Sequence, residues 1–140
     1  YIGIFIEEIK NGNDMTIANR FYEGKMNSVS RLLASKIYIK LVSTILKLPL
    51  NDTEAGFKFF RREKIMPVIK KTRDKGWFWD TEICTFAHFN NLKISEVPVL
   101  FARRSEKKST VRIIPDSTKY LVKLIRFRFE FKKMFRGNGK

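Results

Sequence analysis

Apolar positions along the chain follow two different periods, and glycine, proline and asparagine mark the boundaries between them. Residues 2–9 read as the end of a helix closed by the turn Asn11-Gly12-Asn13, and residues 15–19 are short and apolar enough for a buried strand. Residues 28–48 place Val29, Leu32, Leu33, Ile37, Leu41, Ile45 and Leu48 on one broad helical stripe, with Pro49 ending it. Residues 56–60 predict a strand entered through a turn, where Gly56 would allow a tight or positive-φ backbone. A helix over 61–72 meets Pro67, so it either starts near that residue or kinks there. Residues 79–90 predict the next helix, with Asp80 as its cap and Glu82 at the positive end of its dipole. Residues 92–102 bring β-branched Ile94, Val97 and Val99, and Pro98 assigns that strand to an edge or a bulge. A basic loop over 103–112 leads to a helix over 116–136, in which Tyr120, Leu121, Leu124, Phe127, Phe131 and Phe135 alternate with lysines and arginines. Between 126 and 131, however, Phe127, Phe129 and Phe131 also fit the period of a strand.

Helices and strands thus interleave, which predicts an α/β chain. Its 140 residues suit one ordinary domain, and 44% hydrophobic residues including 13 Phe are ample for a core. The formal charge of +15 adds that polyanions will concentrate near it: nucleic acid, anionic lipid headgroups or phosphorylated substrates. Charge alone does not choose among these. One Cys (Cys84) and one His (His88) exclude a disulfide framework and a Cys/His zinc cluster built by this chain alone. No apolar run reaches the roughly 18 residues of a spanning helix, because Lys36, Lys40 and Lys47 interrupt the longest candidate. Residues 1–6 are too short, and Glu7 and Glu8 follow too soon, for a signal peptide.

Candidate chemistry lies in three places. Asp52 with Glu54, and Asp80 with Glu82, are tight carboxylate pairs beside glycine turns and aromatics; such groups grip hydroxyls, hold a cation or accept a proton, and the same residue types serve as caps and turns. Trp77, Phe78 and Trp79 offer an apolar wall to a sugar face or an isoprenoid, with core packing as the competing account. Arg20 falls at the carboxyl end of a strand, where ligands gather in open α/β sheets, and Arg31 and Ser35 share a helical face suited to a phosphate or simply to water.

These residues fall in a recognisable order. Asn19-Arg20, Arg31-Leu-Leu-Ala-Ser35, the block Asp52, Gly56, Phe57 and Lys58, the block Gly76, Trp77, Trp79, Asp80 and Glu82, and Glu96-Val-Pro-Val99 followed by Arg104 and Ser109 succeed one another. In this order the chain resembles family 2 glycosyltransferases, above all the enzymes that load a sugar onto dolichyl or polyprenyl phosphate. The resemblance covers roughly residues 6–128. Relatives often carry Gly-x-Ser-Lys where this chain has Lys107-Lys108-Ser109-Thr110, and the Asp-x-Asp element that holds cation and nucleotide upstream in such enzymes has no counterpart here.

The resemblance implies the C-terminal part of a GT-A (Rossmann-like) fold with amphipathic membrane-interface helices. Residues 1–115 would be the acceptor half of the transferase domain and residues 116–140 a basic amphipathic segment. Arg20, Arg31, Ser35 and Arg104 would hold the acceptor phosphate, Asp52 and Glu82 would act near the transferred sugar, and Gly56, Phe57, Lys58, Trp77, Trp79 and Asp80 would line the pocket. The expected reaction moves a hexose from a GDP-mannose or UDP-glucose type donor to dolichyl or polyprenyl phosphate at the cytoplasmic face of a membrane. The complete enzyme would use Mg or Mn, with ligands outside this chain. Since the nucleotide half is missing, the chain by itself is expected to be inactive and to need an N-terminal half or partner subunit. A noncatalytic basic module for membrane surfaces or nucleic acid is the alternative.

Overall fold

A computed structural model describes the backbone of residues 1–22, 29–101 and 113–137, and the side chains of 1–21, 37–101 and 118–134. The elements run α1 (Ile2–Lys10), β1 (Met15–Tyr22), α2 (Val29–Leu46), β2 (Lys58–Phe60), α3 (Arg62–Ile69), α4 (Trp79–Phe89), β3 (Ile94–Phe101) and α5 (Ile113–Gly137). The chain is therefore mixed α/β, as its two periods predict. It divides into two compact units, Tyr1–Met26 with Leu48–Arg103, and Asn27–Lys47 with Arg104–Lys140. The expected loops at 22–27 and 103–112 fall mostly or wholly outside the described residues.

The first unit is organised by a three-stranded sheet in the order β2-β1-β3. β1 runs antiparallel to β2 and parallel to β3. Met15, Thr16, Ile17 and Ala18 are all buried, so the central strand is covered on both faces, with Thr16 the one polar side chain among them. On one face Phe5 of α1 packs with Ala18, Ala55 and Val97, joined by Phe59 and Val99. The Phe5 ring meets Phe57 edge-on at 4.7 Å and Phe59 at 5.3 Å, an arrangement favoured by the aromatic quadrupole. Where β1 pairs with β3, the Thr16 and Ser95 hydroxyls meet at 3.0 Å.

The turns have local causes. Gly12 takes φ +99° after α1, a conformation that glycine adopts without a Cβ penalty. Asn91 takes φ 58° after α4, while Leu92 N–H donates to Ala87 O and Asn91 N–H to His88 O, which closes the helix with asparagine in glycine's usual place. Three expectations need correction. Gly56 is not among the positive-φ residues and open space surrounds the position of its missing Cβ, so backbone strain does not explain it. Of the two alternatives at Pro67, a start near that residue is excluded, since α3 begins at Arg62 and contains it. Asp80 does not cap α4; the residue before the helix is Phe78, and it makes no side-chain cap bond.

The second unit pairs α2 with α5, with Tyr38 set edge-on against Tyr120 at 5.1 Å. Leu124, Phe127 and Phe131 are buried at spacings of three and four, while Phe129 is 63% exposed. Those spacings resolve the ambiguous stretch as a helix, because a strand would put all three phenylalanines on one side. Among the described residues no helix is long and apolar enough to cross a membrane.

Candidate functional site

Sheet register brings two motif lysine and glutamate residues into one row. Ile17 of β1 pairs with Lys58 of β2 on one side and with Glu96 of β3 on the other. Paired residues project from the same face, so Lys58 and Glu96 flank Ile17 there. The segment 51–55 is pinned between them. Glu96 accepts from the Asn51 backbone N–H at 2.8 Å, from Asn51 Nδ2 at 2.7 Å and from the Asp52 N–H at 3.3 Å. Lys58 Nζ donates to the Ala55 carbonyl and reaches Asp80 Oδ1 at 2.6 Å. Its side chain is only 2% exposed, so the ammonium is compensated almost wholly by those two oxygens.

α4, which carries Asp80, holds the same segment through two further residues. Thr53 and Thr81 hydroxyls lie 3.4 Å apart, and Cys84 Sγ is 3.7 Å from the Thr53 carbonyl. Burial pushes the Cys84 thiol up to about 12, which keeps it protonated and unreactive in the fold. Asp52, itself buried, forms a fork with Arg20: Nε to Oδ2 at 2.6 Å and Nη2 to Oδ1 at 2.9 Å. Asp52 Oδ1 also accepts from the Glu54 N–H at 3.2 Å, and the Arg20 guanidinium carbon lies 6.0 Å from the Phe101 ring centroid. Arg20 thus sits near the end of β1 with its orientation fixed by a carboxylate.

Glu82 is also buried, and its Oε2 accepts the backbone N–H groups of Arg73 at 2.7 Å and Asp74 at 3.0 Å. Asp74 Oδ1 in turn accepts from Gly76 N–H at 2.7 Å, and a Cβ on Gly76 would meet that oxygen at 3.2 Å. The turn so fixed carries Trp77, which is 57% exposed. The three neighbouring rings divide their roles: Trp77 faces outward, Phe78 is core, and Trp79 is half-buried with its indole N–H on Thr72 Oγ1 at 3.1 Å. Phe57 remains partly exposed beside Phe5.

Of the residues expected at a site, Arg20 and Asp52 meet directly, Lys58 and Asp80 meet directly, and Glu82 anchors the turn before Trp77. Arg31 and Ser35 lie on α2, but their side chains are outside the described residues, as is Arg104 altogether. Asn51, Thr53, Thr81 and Cys84 were not expected in the network; their one signal was adjacency to the carboxylates, since the contacts that recruit them span 28 to 45 residues of sequence. Four blocks far apart in the chain interlock around residues 51–55.

Similarity to known proteins agrees with that order of blocks. The chain is 28% identical over 106 residues to glycosyltransferase AglD of Haloferax volcanii, an alignment covering 74% of this chain and 17% of AglD. It is 29% identical over 82 residues to the dolichyl-phosphate beta-glucosyltransferase of Saccharomyces cerevisiae, covering 59% of this chain and 24% of that protein. These relatives are sugar transferases. The yeast relative fits the resemblance to dolichyl-phosphate sugar synthases that the motifs carry, AglD fits it as a glycosyltransferase, and the aligned part spans a quarter or less of either relative. No protein-family model matches the chain.

Proposed function

We propose that this chain is the acceptor side of a glycosyltransferase that moves a hexose from a nucleotide sugar, of the GDP-mannose or UDP-glucose type, to dolichyl or polyprenyl phosphate. The observation that carries the reading is the interlocking of the Asp52, Trp77-to-Glu82 and Glu96 blocks with Arg20 into one network. Such a network supplies a rigid platform, and a phosphate oxygen, already ionised at neutral pH, needs positioning and charge neutralisation more than a strong base. Asp52 fixes the direction of Arg20 for the acceptor phosphate, a role that the order of the motifs also gives to Arg31, Ser35 and Arg104. Glu82 sets the turn that presents Trp77 to the sugar or the isoprenoid.

Among the described residues no three His, Cys, Asp or Glu side chains form a cluster that could hold a metal ion. The resemblance assigns the ligands of the reaction's divalent cation to residues outside this chain, and none of the roles above depends on it. The test is an assay of the complete protein with nucleotide sugars, a divalent cation and dolichyl phosphate. A labelled glycolipid, lost on Arg31→Ala or Arg104→Ala with folding unchanged, is the expected result. Failure to form any glycolipid with either donor would defeat the reading.

A further inference from the structure

Residues 51–55 bring Asp52 to Arg20, yet they belong to no helix or strand. Their backbone has no ladder to join, so side chains have to hold it. Glu96 of β3 supplies three such bonds. One carboxylate oxygen accepts the backbone N–H groups of Asn51 at 2.8 Å and Asp52 at 3.3 Å, and the other accepts Asn51 Nδ2 at 2.7 Å. The bond to Asp52 lands on the residue whose own carboxylate forks Arg20 at 2.6 and 2.9 Å. Both ends of this chain of contacts are fixed by the sheet. β1 and β3 are paired from Met15 to Tyr22, with Glu96 opposite Ile17 and Arg20 opposite Val99. The two strands therefore act as one frame, which Asn51 and Asp52 bridge from Glu96 to Arg20. A planar fork transmits the tilt of its carboxylate to the guanidinium, so whatever sets the Asp52 backbone also sets the direction of Arg20.

We propose that Glu96 is a positioning residue: through Asn51 and the Asp52 amide it aims Arg20 at the acceptor phosphate, and it does so by supplying hydrogen-bond acceptors in a fixed place rather than by its charge. The inference rests on the reading of Arg20 as a ligand of that phosphate. Glutamine keeps one oxygen for both backbone amides, and its Nε2 meets Asn51 once that side chain turns its Oδ1 inward. The pair is also invertible. Asn51→Asp alone sets two carboxylates against each other, whereas Asn51→Asp with Glu96→Gln restores a donor and an acceptor with their sides exchanged. A Glu96 that worked through its charge, on a cation or a proton, would survive neither change to glutamine.

Two measurements on the complete protein separate this inference from the reading beneath it. The first uses no substrate and follows the Arg20 Nε–H proton by heteronuclear NMR, since the fork with Asp52 shields it from exchange with water. Its exchange should quicken about tenfold or more in Glu96→Ala and in Asn51→Asp, and return close to the wild-type rate in the double variant. The second is glycolipid synthesis from a nucleotide sugar and dolichyl phosphate. The KM for dolichyl phosphate should rise about tenfold in Glu96→Ala and in Asn51→Asp, the size of one misaimed charge-assisted hydrogen bond, with the KM for the nucleotide sugar within about twofold. Glu96→Gln and the double variant should recover most of that loss. A merely structural anchor would lower the melting temperature and the active fraction while leaving both KM values in place. Asn51 is exposed and Glu96 half-buried, so the variants should fold, which a thermal melt checks. An unmoved acceptor KM in Glu96→Ala, or a double variant no better than Asn51→Asp, would overturn the proposal while the transfer reading stands. Faster Nε–H exchange reversed by the double variant, in a protein that makes no glycolipid, would defeat the transfer reading and leave the aiming of Arg20 by Glu96 intact.

Discussion

Removing the acid from the Lys58–Asp80 pair should cost more than removing the base. Lys58 is 2% exposed and Asp80 is 23% exposed at its side chain, so the two charges depend on each other unequally. Asp80→Ala leaves a buried ammonium with only the Ala55 carbonyl as partner, which breaks a buried pair from its costly side. Such a change costs roughly 3–5 kcal/mol when fully buried, and water entering at the exposed Asp80 position reduces it to about 2–4 kcal/mol. Lys58→Met keeps the stem's packing and deletes the charge; it orphans Ala55 O and leaves Asp80 to water, for about 1–1.5 kcal/mol. The double variant should resemble Lys58→Met alone, giving a coupling equal in size to the Asp80→Ala loss, about 2–4 kcal/mol. Urea unfolding followed by circular dichroism measures all three, with an unchanged slope as the control. A larger loss for Lys58→Met than for Asp80→Ala, or strict additivity, would refute the claim that this ammonium is buried against its partner.

Three further outcomes are expected. Glu82→Ala should expose the Arg73 and Asp74 amides to fast hydrogen exchange and lower stability by about 1–3 kcal/mol, because two backbone donors lose the buried carboxylate that accepts them. Phe127→Ala should cost about 3–5 kcal/mol and Phe129→Ala within about 0.5 kcal/mol, as read from thermal or urea unfolding. Cys84 should resist alkylation at mildly alkaline pH in the folded protein and react once urea is added. Its folded pKa is raised by burial, so the contribution of the neutral thiol is full below the ordinary value of 9.0 and is lost as pH climbs from there towards about 12.

Local periodicity made most elements legible. β1, α2, α4 and β3 follow from apolar spacing and from proline or asparagine punctuation, and β3 does take an edge of the described sheet with Pro98 in it. What escaped were choices settled by distant partners. Asp80 has the look of a cap, yet Lys58, 22 residues earlier, is delivered to it by the β1–β2 pairing and offers a buried charge instead. Gly56 has the look of a strained turn, although its surroundings are open. Either phenylalanine phase of α5 was compatible with a core, and only packing shows that 127 and 131 turn inward. The candidate site was legible as a set of motifs, while the pairing of Arg20 with Asp52 and of Glu96 with Asn51 belongs to tertiary structure.

The row formed by Lys58, Ile17 and Glu96 also sets an order of events during synthesis. Segment 51–55 leaves the ribosome well before Glu96, its anchor on the far strand, is available. Arg20 can hold the Asp52 side chain earlier, but Asn51 and the Asp52 amide must wait for Glu96 until β3 pairs with β1, and the platform becomes whole only when nearly all of its unit has emerged.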